Sequence, residues 1–153
     1  MMNTVSKPLS PPLFSLPPVG GLQIMADLYG CALDHLSDVA WLRDQCTQLV
    51  QRVGLTVVGE RFYAFEPCGV TGVLLLAESH LALHTWPEHG FVSVDLYVCN
   101  LNCDNSRKAQ QVIDDLVALL ACQQPQIQRV ERGSPLRADL VEALRDQQYP
   151  ILA

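Results

Sequence analysis

The order of strand-like and helix-like segments predicts an α+β fold: a two-layer α/β sandwich in which an antiparallel sheet carries helices on one face. Two kinds of periodicity support this prediction. Apolar residues alternate with a period of two in several short segments, as in half-buried strands, and they recur at helical spacing in longer ones. The chain has 153 residues, which is enough for one domain with a sizeable core.

A strand and a helix open the predicted domain. Side chains over residues 22–29 (LQIMADLY) alternate with a period of two, which predicts a strand. Residues 38–53 place apolar side chains at helical spacing. We expect Ser37 to cap the amino terminus of this helix and Gly54 to end it.

A β-rich region fills the middle of the chain. Residues 55–65 (LTVVGERFYAF) favour strand structure, and residues 66–72 predict a turn because they contain one proline and two glycines. Residues 87–90 (PEHG) predict a second turn. Three β-type runs accompany these turns: residues 73–79, 80–86 and 91–99.

The last part of the chain returns to helical spacing. A second helix is predicted over residues 107–122, with Asn105 or Ser106 as its cap. A short strand follows over residues 126–132, and residues 134–148 predict a terminal helix.

Composition excludes several classes of protein. The formal net charge is -6, and the ten Lys and Arg residues do not cluster, so no nucleic-acid partner is expected. No stretch reaches the roughly 20 apolar residues that span a bilayer, and no signal peptide is recognisable, so we expect no membrane contact and a cytoplasmic location. Residues 1–19 hold five prolines and predict a disordered extension, which leaves residues 20–153 as one domain.

Reactive side chains interrupt the most apolar part of the predicted sheet, and three interpretations of them stay open. They are structural core residues, metal ligands, or parts of a nucleophilic site. A metal site would draw on His80, His84, His89, Cys99 or Cys103, but these spacings match no standard zinc set, so no metal is expected. A nucleophilic site would combine Ser79, His84 and Cys99.

The segment ESHLALHTWPEHGFVSVDLYVC, residues 78–99, closely resembles the core motif of bacterial and archaeal S-adenosylmethionine decarboxylase proenzymes. The resemblance extends in register to LYGC, FEPCGVTG and VERG, and it covers roughly residues 21–133. A motif of this length with matching flanks is far more specific than a short glycine signature.

The resemblance implies that the chain cuts itself between Glu78 and Ser79, giving chains of residues 1–78 and 79–153. The Ser79 hydroxyl would attack the Glu78 carbonyl, and the resulting ester would eliminate to leave a dehydroalanine. Hydrolysis would convert this residue into a pyruvoyl group, derived from Ser79, on the downstream chain. This group is the implied cofactor, an electron sink built from the protein. Such chemistry favours a strained, dry peptide bond held within a sheet.

Roles for other residues are likewise implied by the resemblance. His84 resembles the histidine that assists processing as a base, and Thr71 aligns with a serine that supports the same step. Cys99 resembles the acid that protonates the substrate carbon after carbon dioxide leaves. Three further positions resemble the substrate pocket: Phe65 and Trp86 as rings that stack on adenine, and Glu88 as the residue that binds the ribose or ammonium end.

Departures from the family pattern leave the substrate more open than the reaction. Ala77, Ala82 and Gln23 stand where the family commonly has Ser, Thr and His. The resemblance favours S-adenosylmethionine as the small-molecule substrate, with a product that supplies aminopropyl groups for spermidine synthesis. Alternatives are a related decarboxylase of arginine or ornithine, and an uncleaved, non-catalytic binding homologue. The resemblance also implies a homodimer with sites near its interface.

Overall fold

The computed structural model describes residues 20–133. Within them the chain forms six strands and two helices, in the predicted order: β1 (Gly21–Tyr29), α1 (Val39–Arg52), β2 (Val57–Ala64), β3 (Val70–Leu76), β4 (Ser79–Trp86), β5 (Phe91–Cys99), α2 (Ser106–Leu119) and β6 (Gln124–Arg132). A short 3₁₀ turn, Pro87–His89, joins β4 to β5 where the sequence predicted a turn. The predicted extension over residues 1–19 and the predicted helix over residues 134–148 lie outside the described residues.

All six strands form one antiparallel sheet in the order β2-β3-β4-β5-β1-β6. The four strands β2 to β5 are consecutive neighbours, because short turns connect them. β1 then adds beside β5, and β6 adds beside β1 at the edge. The predicted α+β class and antiparallel sheet are confirmed.

Both helices pack on the same face of the sheet, which confirms the two-layer arrangement. Alternate residues of β1, β4 and β5 enter a single core cluster with the apolar faces of α1 and α2. Each fully buried aliphatic side chain in such a core contributes about 1.5–3 kcal/mol relative to exposure. The helix residues buried in this core are Leu42, Cys46, Leu49 and Val50 of α1, and Ala109, Val112, Ile113 and Leu116 of α2.

The opposite face of the sheet, here called the open face, carries no helix among residues 20–133. Its side chains alternate with the core residues and are half-buried or exposed. On β4 the open face consists of His80, Ala82, His84 and Trp86. The open face therefore presents the histidines of the motif, whereas the core face of the same strand is aliphatic.

Three predicted boundaries are wrong, and hydrogen bonds explain two of them. The cap of α1 is Asp38, whose carboxylate accepts from the Trp41 amide at 2.9 Å, while the Ser37 hydroxyl instead accepts from the Gly69 amide at 3.2 Å. The turn predicted over residues 66–72 is shorter, because the Val70 amide donates to a buried threonine hydroxyl on β4 and starts β3. The second helix spans Ser106–Leu119, so it ends before residue 122.

Candidate functional site

The bond between Glu78 and Ser79 lies at a hairpin turn. Leu76 pairs with Ser79, so only Ala77 and Glu78 connect β3 to β4. Glu78 adopts a φ of 59°, and within residues 20–133 it shares this left-handed region with just one other non-glycine residue, Ala121. This conformation costs a non-glycine residue about 1–2 kcal/mol. The backbone at Glu78 is therefore strained, as expected. Two other expectations are not met within a single chain: the bond lies in a turn and not within a strand, and the turn is not dry, since Ala77 and Glu78 are exposed.

The Ser79 hydroxyl is held by the end of β5. The Cys99 amide donates a hydrogen bond to the Ser79 Oγ at 3.1 Å, and the Cys99 side chain is only 6% exposed. The Asn105 side chain donates to the Cys99 carbonyl at 2.7 Å, which fixes the backbone just before α2. The structure thus brings together two of the residues that the sequence pointed to, Ser79 and Cys99, although they are 20 residues apart.

A polar cleft of about 460 Å³ surrounds this end of β4. Glu78 and Ser79 line it together with His80, Tyr97 and Arg132, and the Arg132 guanidinium lies 5.9 Å from the centre of the Tyr97 ring. Cation–π contacts of this kind favour a fixed position of both side chains. The Glu78–Ser79 bond therefore lies in a cleft that is also lined by the cationic side chain of Arg132.

Two hydrogen-bonded side chains and an acid extend this cleft across the open face. Arg132 donates to the Gln23 side-chain oxygen, and Gln23 in turn donates to the Asp95 carboxylate. The His80 Nε2 lies 3.8 Å from the same carboxylate. The sequence alone indicated no role for Arg132 or Asp95. The VERG motif contains Arg132, but only the pairing of β6 with β1 shows that it reaches the Glu78–Ser79 turn.

Thr71 and His84 form a second hydrogen-bonded pair at the other end of β4. They are register partners across β3 and β4, and the Thr71 Oγ1 lies 2.9 Å from the His84 Nδ1. The hydroxyl orients the imidazole, which is otherwise exposed on the open face. This contact is a physical reason for the hypothesis that Thr71 and His84 act in the same step. The extra methyl group of threonine does not prevent the hydrogen bond.

A second cleft, of about 470 Å³, opens beside Thr71 and His84. Phe65, Trp86 and Glu88 all line it, so the three predicted substrate-binding residues lie together. The Trp86 ring stacks on Phe91 with centroids 5.1 Å apart, and it is still 38% exposed. Phe65 is 51% exposed. Aromatic faces left open in a concave site are suited to planar ligands.

The acid of this cleft is held in its charged form. Glu88 accepts hydrogen bonds from its own backbone amide and from the Cys68 thiol, whose Sγ lies 3.4 Å from Oε2, and both lower the pKa of Glu88. The same contact raises the pKa of the Cys68 thiol, which therefore stays protonated as a donor. Cys68 was not singled out from the sequence, although it lies within the FEPCGVTG segment.

The two clefts are separate within one chain. Ser79 and His84 are five residues apart on β4, which corresponds to about 16 Å at the usual rise of a strand. Ser79 and Cys99 therefore lie at one end, and Thr71, His84 and the aromatic cleft lie at the other. A single chain does not bring Ser79, His84 and Cys99 into one contact group.

A buried threonine connects the aromatic cleft to the rest of the fold. The Thr85 hydroxyl donates to the Leu36 carbonyl at 2.6 Å and accepts from the Val70 amide at 2.8 Å. It therefore ties β3, β4 and the segment before α1 together directly behind the cleft. Its neighbour in sequence, His84, drew attention because of its chemistry, whereas the role of Thr85 depends on a contact 49 residues away.

Two negative findings apply to the described part of the chain. Residues 20–133 contain no group of three or more His, Cys, Asp or Glu side chains arranged to hold a metal ion. The same residues include no helix of the length and apolar character needed to cross a membrane.

Comparisons with known proteins agree with one another. The family model described as S-adenosylmethionine decarboxylase matches residues 22–133. The S-adenosylmethionine decarboxylase proenzyme of Aquifex aeolicus is 41% identical over 113 residues, which cover 74% of this chain and 81% of that protein. The proenzyme of Picrophilus torridus is 36% identical over 120 residues, covering 78% of this chain and 89% of that protein.

A solved structure extends the agreement to the fold. The crystal structure of the adenosylmethionine decarboxylase from Aquifex aeolicus matches with a TM-score of 0.70 and 36% identity, covering 80% of this chain and 97% of that one.

Proposed function

This chain belongs to the S-adenosylmethionine decarboxylase family, and we propose that it is the precursor of a self-processing, pyruvoyl-dependent decarboxylase that acts on S-adenosylmethionine. The observation that carries the proposal is the geometry at Glu78 and Ser79. A strained turn presents the bond to be cut, and the attacking hydroxyl beside it is already positioned by the Cys99 amide.

Cleavage begins at the Ser79 hydroxyl. Its Oγ forms a bond to the Glu78 carbonyl carbon, and the peptide C–N bond breaks, so that the acyl group moves from nitrogen to oxygen. The left-handed conformation of Glu78 favours this step, because leaving the peptide bond releases its backbone strain. The ester then loses the Ser79 α-proton and the Glu78 carboxylate, which separates residues 1–78 from residues 79–153 and leaves a dehydroalanine at the start of the downstream chain. Water hydrolyses this group, its nitrogen leaves as ammonia, and a pyruvoyl group remains.

The residues around Ser79 suit the formation of the cofactor and its use. The Cys99 amide donates to the Ser79 Oγ, the oxygen that leaves with the Glu78 carboxyl group, so this amide would stabilise the departing carboxylate. A pyruvoyl group at this position would supply the electron sink for decarboxylation. The Cys99 thiol lies on the same strand end and would deliver a proton to the substrate α-carbon.

The aromatic cleft fits the nucleoside part of the substrate. Phe65 and Trp86 offer exposed ring faces to adenine, and Glu88 places a carboxylate at the same cleft. Because hydrogen bonding lowers the pKa of Glu88, this carboxylate is charged at neutral pH and can accept from ribose hydroxyls or attract an ammonium group.

A homodimer would unite the two clefts. The open face carries both of them, about 16 Å apart along β4, and it has no helix covering it among residues 20–133. When two open faces pack about a two-fold axis with β4 antiparallel to its partner, the Ser79 end of one chain lies over the His84 end of the other. His84 and Thr71 of one subunit would then assist cleavage in the partner, and the exposed Glu78 turn would become buried.

The intact mass of the purified protein under denaturing conditions tests the proposal. We expect two chains that meet between Glu78 and Ser79, with a pyruvoyl group at the start of the downstream one. Ser79→Ala should give a single, full-length, inactive chain. Carbon dioxide release from S-adenosylmethionine, arginine and ornithine, assayed side by side, tests the substrate. An uncut but active protein would contradict the mechanism, and faster release from a basic amino acid would contradict the substrate.

A further inference from the structure

Cys31 and Cys122 meet at the end of the sheet away from the Glu78–Ser79 bond, and neither has a role in the proposed reaction. Cys31 follows β1 and Cys122 precedes β6, and these two strands pair antiparallel up to Tyr29 and Gln124. Continuing the same register by two residues on each strand brings Cys31 opposite Cys122. Two backbone hydrogen bonds keep the segments together at this point, from the Gln123 amide to Tyr29 at 3.1 Å and from the Ala32 amide to Leu120 at 2.9 Å.

Both thiols lie at the end of β1, where each donates to a carbonyl of that strand. The Cys122 thiol donates to the Tyr29 carbonyl at 3.2 Å, and the Cys31 thiol donates to the adjacent Leu28 carbonyl at 3.4 Å. Burial raises the pKa of the Cys31 thiol to about 12, with a further contribution from the neighbouring Cys122. Both side chains pack at the edge of the same apolar core.

The approach of the two segments suits a cross-link. Opposed residues of antiparallel strands have Cα atoms about 4.5–5.5 Å apart, within the about 4.4–6.8 Å that disulfides require. Gly30 allows the close contact, because it has a φ of 67° and a Cβ added there would lie 3.1 Å from the Gln123 Cβ. The other four cysteines of the chain include a fully buried residue, Cys46, and the catalytic candidate Cys99.

We propose that Cys31 and Cys122 form a reversible disulfide, and that this bond joins the upstream and downstream chains once the precursor has been cut. The disulfide itself can form in the uncut precursor. The joining of two chains rests on the proposed self-processing, because Cys31 lies in residues 1–78 and Cys122 in residues 79–153. The cut would otherwise leave the two chains held by non-covalent contacts alone.

The oxidation proceeds by exchange with a small-molecule disulfide such as oxidised glutathione. The more accessible Cys122 attacks as a thiolate and expels one small thiol, leaving a mixed disulfide. Cys31 then loses its proton, attacks the Cys122 sulfur and expels the second thiol. The protein loses two electrons and two protons, and the small disulfide becomes two thiols. Because burial disfavours the Cys31 thiolate, the second step should quicken as the pH rises.

The bond would also stabilise one wall of the aromatic cleft. The Cys31 amide donates to the Gly90 carbonyl at 2.9 Å, at the end of the 3₁₀ turn that carries Glu88. Tyr29, two residues before Cys31, stacks on Phe91 with centroids 4.9 Å apart, and Phe91 stacks on Trp86. A bond between Cys31 and Cys122 would therefore stabilise the segments that position the Trp86 ring and the Glu88 carboxylate.

The experiment equilibrates the full-length purified protein in buffers of reduced and oxidised glutathione, blocks free thiols with an alkylating agent, and maps the peptides by mass. We expect a Cys31–Cys122 linked peptide, lighter than its two thiol peptides by two hydrogen atoms, and a higher melting temperature for the oxidised protein. Cys122→Ser should lose both effects. Cys103→Ser removes an exposed thiol of the same downstream chain and should keep both.

Several results separate the possibilities. Recovery of Cys31 and Cys122 as free thiols under conditions that glutathionylate Cys103 would overturn the proposal, and so would a link from Cys122 to any other cysteine. A linked peptide in an uncut chain would support the disulfide while contradicting self-processing. If the protein is cut, a denaturing gel that shows one band without reductant and two bands with reductant would support a disulfide between the upstream and downstream chains. Circular dichroism of Cys122→Ser confirms that this control is folded.

Discussion

Mixing two inactive variants tests whether each site is shared between two subunits. In the proposed dimer, a complete site takes Ser79 from one chain and His84 from its partner. Ser79→Ala lacks the nucleophile, and His84→Ala lacks the assisting imidazole, so each variant alone should stay uncut. A mixed dimer contains one site without either group and one intact site, in which the His84→Ala chain supplies Ser79 and the Ser79→Ala chain supplies His84.

The expected yield follows from the symmetry. Random pairing of equal amounts places about half of all His84→Ala chains in mixed dimers, so about half of them should be cut and no Ser79→Ala chain should be cut. Co-expression followed by intact mass measurement reads this directly, because the downstream fragment carries the His84→Ala mass. The need for a partner chain follows from the distance of about 16 Å between Ser79 and His84 in one chain, which five strand residues impose.

The possible results have distinct meanings. If neither chain is cut after co-expression, the assisting histidine acts within its own chain, and the shared-site argument is refuted. If His84→Ala is cut on its own, His84 has no essential role in processing. Native mass measurement of the co-expressed chains serves as the control for dimer formation, since it detects the mixed dimer directly.

Three further predictions concern stability and substrate binding. Thr85→Val removes two buried hydrogen bonds and should lower the free energy of unfolding by about 2 kcal/mol in chemical denaturation, whereas Thr56→Val, at an exposed position, should not. Gly21→Ala places a Cβ 2.6 Å from a backbone carbonyl oxygen and should cost about 1–3 kcal/mol, while Gly20→Ala meets nothing within 4 Å and should be neutral in the same assay. Because the pKa of Glu88 is lowered below 4.5, the contribution of this carboxylate to KM should persist as the pH falls to that value and disappear only below it. Glu88→Gln should raise KM at neutral pH and abolish this pH dependence. An unchanged pH profile of KM in Glu88→Gln would contradict the role of the carboxylate.

Hydrophobic periodicity was enough to predict the sheet and both helices. The alternation along β1, β4 and β5 survives in the structure because one face of each strand packs on the helices. Boundaries were harder to predict where a side chain far away in sequence supplies the deciding hydrogen bond. Val70 joins β3 because Thr85 accepts its amide, and Ser37 leaves the cap position to Asp38 because it accepts from Gly69.

The same distinction applies to the site. Residues within the motif were found because their types and order carry the resemblance. Arg132 and Cys68 were missed, since each gains its meaning from a contact across the fold: Arg132 reaches the cleavage turn through β1, and Cys68 reaches Glu88 across 20 residues. Strand pairing and loop conformation decide such contacts, and a local pattern contains neither.

The spacing within the motif itself argues for the dimer. A nucleophile and a base that act together within one strand must share a face and lie near each other, which requires an even spacing such as two residues. Ser79 and His84 are five residues apart, an odd spacing that puts their side chains on alternate faces and separates them by about 16 Å. A chain that acts alone gains nothing from that arrangement. When the open faces of two chains stack with β4 antiparallel, the Glu78–Ser79 turn at the start of one β4 would lie over His84 of the other. The proposed dimer thus brings together groups that a single strand keeps about 16 Å apart.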